Sequence, residues 1–307
     1  MRLLDQIMHE SRSQTIPQSG GRAAKFFGLL EAKAALEQCP IRYILDQQSS
    51  RQCSDLVNNA PAMFDPADPF LRVAAERVWV EFFTDPVEGA SATCQSKVGV
   101  MISADATGRR GTLQGFYEHS GRPLIDHGAI VFDLDRPPAA SAWSLRLRQA
   151  SLPHLTPLLE YTLLTVRPEC RPLFGAAPDA TRQAMFSRLA EGCWYLLPVV
   201  LTFSAMLNSG GILREQPSDL ERLNRTRGTA RKRSLLDHIE ISMQLGFGHA
   251  CIGGDGERSS RSTPRLHYVR GHVVRRSDKT FWRSSHLRGE GARPALARTV
   301  SFRSLAE

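Results

Sequence analysis

The sequence predicts an α+β chain: helices packed on a largely antiparallel sheet, with a long central buried helix and a C-terminal basic β-hairpin. Three observations carry this reading. Four β-branched or aromatic runs follow one another between residues 78 and 133, separated by polar turns containing glycine, which is the spacing of a meander. A stretch with no charged residue, GCWYLLPVVLTFSAMLNSGGIL, fills 192–213. Residues 265–289, RLHYVRGHVVRRSDKTFWRSSHLRG, are laid out at strand spacing around a short polar turn. With 307 residues, 42% hydrophobic and 23% charged, the chain can build a sizeable core.

The elements are expected as follows. Residues 22–38, RAAKFFGLLEAKAALEQ, have the apolar spacing and Lys/Glu fillers of an amphipathic helix, and 40–47 continue as a second short helix. Residues 47–59 are polar and read as a loop. Asp65 or Asp68 caps a helix through Arg77, with Asp68 favoured because Pro69 then takes the first helical position. Strands follow at 78–83, 97–103, 112–118 and 128–133, closed by the Pro/Ala-rich link 136–142. Residues 153–165 read as a helix. Asp179 then caps a long helix over 180–207, amphipathic at first and apolar all round later, kinked by Pro198 and ended by Gly210-Gly211. Its apolar part is short for a bilayer span, so the expectation is a core helix and no membrane contact. A basic connector (218–236), a strand (238–243), a mobile Gly/Ser/Arg-rich loop (246–264), the hairpin and a last strand (298–302) complete the chain. The implied divisions are an N-terminal helical region (1–64), an α+β core (65–224) and a basic C-terminal segment (225–307).

Charge is unevenly distributed. Residues 225–307 hold 17 Lys and Arg against 7 Asp and Glu, whereas residues 1–224 hold 22 against 24. The whole basic excess is C-terminal and mostly arginine, whose planar donor fork suits phosphates, carboxylates and aromatic faces. Either an anionic partner or pairing with the acidic N-terminal part accounts for it. The six cysteines form no C-x-x-C and no Cys/His cluster, so they read as reduced thiols of a cytoplasmic protein. The N-terminus, MRLLDQIMHES, has no apolar core of a signal peptide.

The hairpin concentrates the chemistry. Residues 265–276 and 280–285 are expected to pair around Ser277-Asp278-Lys279. Arg270, His272, Arg276, Arg283 and Arg288 would contact phosphates while Tyr268 or Trp282 stacks on a base; the alternative is that the arginines pair with carboxylates and Phe281 and Trp282 are core. His267, His272 and His286 lack a carboxylate or thiolate at ligand spacing, so no metal is expected. Arg225, Arg227, Arg231, Lys232 and Arg233 extend the basic surface into the connector, and His267 and His286 complete the candidate set.

Other motifs are weaker. AIVFDLDRP (129–137) has the Asp-x-Asp of phosphoryl-transfer hydrolases, yet continues into Arg136-Pro137 inside a meander, so Asp133 and Asp135 read as turn carboxylates. GGDGER (253–258) lacks the Lys-Ser/Thr of a phosphate loop. Asp126-His127 and Glu118-His119 are isolated pairs with no nucleophile beside them. No H-E-x-x-H or G-x-S-x-G occurs, so the chain is expected to be non-enzymatic, without a cofactor.

The order of elements over 182–303 resembles a family of phage and plasmid proteins whose members include a type V anti-CRISPR inhibitor. The resemblance rests on the apolar helix RQAMFSRLAEGCWYLLPVVLTFSAML, on Leu223-Asn224-Arg225-Thr226-Arg227 followed by RKRSLL and HIEISM, and on His267, Arg270, Gly271 and His272 with Phe281-Trp282 and His286-Leu287-Arg288-Gly289. Residues before 182 match only in coarse order. The resemblance implies a non-enzymatic mobile-element protein that lowers the level of a type V CRISPR effector by binding its nascent polypeptide, its message or the ribosome complex. Without it, the residues imply a general accessory binder of RNA or DNA, RNA the more so.

Overall fold

A computed structural model describes residues 2–11, 14–17, 23–26, 28–69, 71–84, 96–119, 121–208 and 213–243, and, nearer the C-terminus, 267–269, 272–276, 279–283 and 286–288. The chain forms two compact units, Met1–Met243 and Gln244–Glu307. Strands from all three expected parts, 1–64, 65–224 and 225–307, contribute to one sheet.

In the first unit, α1 (Leu3–His9) is followed by β1 (Gln14–Pro17), β2 (Ala23–Phe26), α2 (Gly28–Glu37), β3 (Ile41–Leu45) and α3 (Gln47–Asn59). Strands β4 (Arg77–Thr84), β5 (Ser96–Ala104), β6 (Arg110–His119) and β7 (Arg122–Asp133) form the expected meander, and β8 (Ser144–Arg146) lies beyond it. Then come α4 (Thr156–Leu159), β9 (Thr162–Val166), α5 (Arg171–Gly175), α6 (Asp179–Cys193), α7 (Leu196–Leu207), β10 (Leu213–Pro217), α8 (Glu221–Thr229) and β11 (Ile239–Met243). Nine strands make one sheet in the order β10-β11-β3-β4-β5-β6-β7-β9-β8; β1 and β2 pair separately. Only β11–β3 and β3–β4 are parallel, so the sheet is largely antiparallel, as the sequence predicts.

Helices cover both faces. Five consecutive residues of β4, Val78 to Phe82, are buried, which a one-sided sheet does not allow. On one face Leu3, Leu4 and Ile7 of α1 and Leu29 and Leu36 of α2 pack with Trp79, Phe116, Phe174 and Phe186. On the other, α3 and α7 meet through Cys53 and Met206, and Tyr43 of β3 meets Phe203 of α7 edge-on at 5.2 Å. Burial of each large side chain contributes roughly 2–3 kcal/mol. Gly99 lets the indole of Trp79 lie over β5: a Cβ there would sit 2.1 Å from the ring. Glu81, buried beneath α1, accepts the N–H groups of Leu3 (2.8 Å) and Leu4 (2.9 Å), using free donors of the helix's first turn.

Several expected elements differ. Residues 41–45 are a strand, not a helix; Ile-Arg-Tyr-Ile-Leu carries the β-branched and aromatic residues a buried strand favours. The polar stretch 47–59 is the crossover helix that makes β3 and β4 parallel. Asp46 caps it by accepting from Ser49 N–H at 2.7 Å, and its buried stripe is Ser49, Ser50, Cys53, Leu56 and Val57. Among the described residues of 68–77 no helix forms; the partly buried guanidinium of Arg109 instead binds the carbonyls of Pro66, Asp68 and Leu71. The stretch 22–38 divides into β2 and α2, and 153–165 into a short helical turn and β9.

The long central helix is present, with a break at Trp194-Tyr195 between α6 and α7. Pro198 causes it: lacking an N–H, it cannot bond the Trp194 carbonyl four residues back. The N-cap is Pro178, and Asp179 lies in the first turn. Every α7 residue from Leu196 to Ser204 is buried, while α6 buries only Phe186 and Cys193. Residues 179–207 are long and apolar enough to cross a bilayer, but most of their apolar window packs against protein. Gly210-Gly211, the loop 246–264 and the strand 298–302 lie outside the described residues.

In the second unit the hairpin forms and extends further than expected. Strand β13 (His272–Arg276) pairs with β14 (Lys279–Arg283), and β12 (His267–Val269) pairs with β15 (His286–Arg288), all antiparallel. Lys279 faces Arg276 in the ladder instead of sitting in the turn. Ser277 and Asp278 lie outside the described residues.

Candidate functional site

Two kinds of region hold the candidate chemistry. The first is basic and occurs separately in each unit, in the hairpin and in the connector. In the hairpin, the backbone register pairs His267 with Arg288, Tyr268 with Leu287, Val269 with His286, His272 with Arg283 and Arg276 with Lys279. Arg270, with Gly271 and Gly289, lies outside the described residues. In the connector, Arg225, Arg227, Arg231, Lys232 and Arg233 come together around the end of α8, but not all point to a partner. Arg225 pairs with Glu221 at 2.9 Å. Arg227 bonds the Arg233 carbonyl at 2.8 Å and touches the His9 ring. Arg233 pairs with Glu37 and reaches the Met8 carbonyl. Asn224 closes the turn by exchanging two hydrogen bonds with Leu235. Arg227 and Arg233 thus clasp α8 to the N-terminal helices. The side chains of Arg231 and Lys232 are exposed and make no hydrogen bond or ion pair among the described residues.

The second region is a cleft that the sequence reading passed over. It begins with an irregularity between β6 and β7, where Gly115 alone faces Asp126, His127 and Gly128, between the pairs Gln114–Ala129 and Phe116–Ile125. Such a bulge frees backbone groups and re-aims side chains. Gln114 satisfies the freed carbonyls: its Nε2 donates to Gly115, Asp126 and Gly128, each at 3.2 Å, while its Oε1 accepts from Arg167 at 3.1 Å. Arg167 is fixed in turn by Glu169 at 2.9 Å.

Above the bulge lies a cavity of about 420 Å³, walled by Phe116, Tyr117, Phe174 and Tyr195, with Asp126 and His127 in its lining and Arg188 and Gly192 of α6 also bordering it. Gly115 keeps the floor low: a Cβ there would come within 3.0 Å of both Asp126 Oδ2 and Leu196. Asp126, partly exposed, lines this opening. Burial pushes its carboxyl up to about 7, against a single opposing hydrogen bond from the His127 N–H. Burial, helped by the charge of Arg167, lowers His127 and so favours its neutral form. Burial and the nearby Asp126 charge raise Tyr117 to about 12 and raise Tyr195 as well. Burial also raises the thiols of Cys170, to about 11, and Cys193, so they stay protonated and unreactive.

Asp133 and Asp135 are structural. Asp133 accepts the N–H groups of Asp135 and Arg136 and the guanidinium of Arg110 at 2.8 Å; Asp135 holds Arg109 at 2.7 Å. Among the described residues no group of three or more His, Cys, Asp or Glu could hold a metal ion. The one trace of the cleft in the sequence is Asp126-His127-Gly128, a polar break inside an apolar strand. Its meaning depended on a bulge and on Tyr195 from a distant helix. No family model, curated protein or solved structure matches this chain.

Proposed function

We propose that this chain is a cytoplasmic, non-enzymatic mobile-element protein that binds an anionic partner through its C-terminal unit, RNA in preference to DNA. One observation carries the reading. Residues 244–307 hold 12 Lys and Arg against 5 Asp and Glu, and their described strands place arginine opposite histidine or lysine at three ladder positions. Phosphate suits such a concentration of basic residues, and binding of this kind weakens steeply with salt. In the first unit, Arg231 and Lys232 are exposed cations whose side chains make no hydrogen bond or ion pair among the described residues. Following the resemblance described above, the partner is the message, nascent chain or ribosome complex of a type V CRISPR effector, and the outcome is a lower effector level.

The test is crosslinking and pull-down from cells expressing such an effector. Recovery of effector message or ribosome-bound nascent effector supports the inhibitor reading. Broad RNA or DNA without effector leaves a general accessory binder, which the charge asymmetry alone supports equally. Absence of both nucleic acid and ribosomes removes the proposal.

A further inference from the structure

We propose that the cleft over the β6–β7 bulge binds a small organic cation, an ammonium group on an apolar body, with Asp126 as counter-ion and the rings of Phe116, Tyr117, Phe174 and Tyr195 as walls. The cavity, about 420 Å³, is in the range of small-molecule sites.

Charge selects the class. Two buried carboxylates elsewhere are each met by several donors: Asp133 by Arg110 and two backbone N–H groups, and Glu81 by the N–H groups of Leu3 and Leu4. Asp126 has one backbone N–H and no Lys or Arg partner among the described residues. A carboxylate enclosed without a counter-charge is costly, and a bound ammonium relieves that cost. An anionic ligand would worsen it, and a neutral one would leave it in place. Aromatic faces add attraction for an ammonium through their quadrupoles. The hydroxyls of Tyr117 and Tyr195 make no hydrogen bond among the described residues, so they remain available to a ligand. His127 favours its neutral form and does not compete for the site. Arg188 is exposed, where solvent and salt weaken its repulsion.

The test is calorimetric titration of the full chain near pH 8 with choline and phenethylamine, and with dimethylbutanol, the neutral carbon isostere of choline. At least one cation is expected to bind, with affinity at least tenfold above the isostere and at least tenfold lower in Asp126→Asn. Gly192→Leu gives a second arm, because a Cβ at Gly192 meets nothing within 4 Å and the larger side chain grows beside the cleft. It should fold normally and lose cation binding. Equal affinity for the isostere, unchanged affinity in Asp126→Asn, retained binding in Gly192→Leu, or no binding of either cation at millimolar concentration each overturns the proposal.

Discussion

Strand β7 carries two aspartates in opposite circumstances. Asp133, at its end, is flanked by Asp135, Arg136 and, across the ladder, Arg110, all of which bond it. Burial alone would raise its pKa, but the two backbone N–H groups and the Arg110 guanidinium outweigh burial and hold it below the usual value. Asp126, in the middle of the strand, has the His127 N–H alone and is pushed up to about 7. The richer-looking motif is the chemically idle one, because its own neighbours satisfy it. The plain Asp-His pair carries the perturbed group, because a bulge turns it into a cleft where no Lys or Arg bonds it among the described residues. A concentration of charged residues in sequence therefore marks self-sufficiency as often as function.

Four experiments would break or sharpen that contrast. The largest effect is expected from Arg109→Ala, which leaves four backbone carbonyls and Asp135 without their donor at the Asp133 end. A loss of about 3 kcal/mol should appear in chemical denaturation. Asp126→Asn should do the reverse. The raised folded pKa means that the native state binds the proton more tightly than the unfolded chain, so the wild type loses stability as pH rises from about 4 through about 7. The variant should therefore be more stable by about 2 kcal/mol near pH 8 and equal to wild type below about pH 4. A variant no more stable at alkaline pH would show that Asp126 already has a cation partner.

Asp133→Asn should show the opposite pH profile. A depressed pKa contributes stability above the unfolded value near 3.8 that is lost as pH falls through the folded value. A loss of about 1–2 kcal/mol at neutral pH, vanishing in strong acid, is expected from pH-dependent thermal melts. Gly115→Ala should have the smallest effect, about 1 kcal/mol, since Leu196 and Asp126 must each give a few tenths of an ångström. Its crystal structure should show a shallower cleft; an unchanged Asp126 position would separate the bulge from the cleft's depth.

Much of the fold was legible. The four-strand meander has clear β-branched runs, the α6–α7 helix has an apolar run longer than a strand needs, and the hairpin has alternation around a polar turn. Residues 41–45 and 47–59 were misread for different reasons. In the helix the buried stripe is partly carried by Ser49 and Ser50, whose polarity hides a pattern that the cap at Asp46 would have revealed; the strand is only five residues long, with Tyr43 and Leu45 its buried positions. The turn structure of 66–76 was illegible because Arg109, about forty residues away, supplies its donors. The cleft was less legible still. Gly115, Asp126 and Tyr195 meet only after two strands slip register and Pro198 breaks a helix, and no local pattern encodes either event.

The position of β11 also has a consequence in time. Ile239–Met243 fits between β10 and β3, pairing with a strand nearly two hundred residues earlier. During synthesis β3 therefore waits with one edge unpaired until almost the whole first unit has left the ribosome. Ile-Arg-Tyr-Ile-Leu is the kind of segment that recruits other strands while it waits. Folding of the first unit should be slow for its size, limited by this last long-range closure. Chains truncated before residue 239 should aggregate, with β3 as the sticking edge.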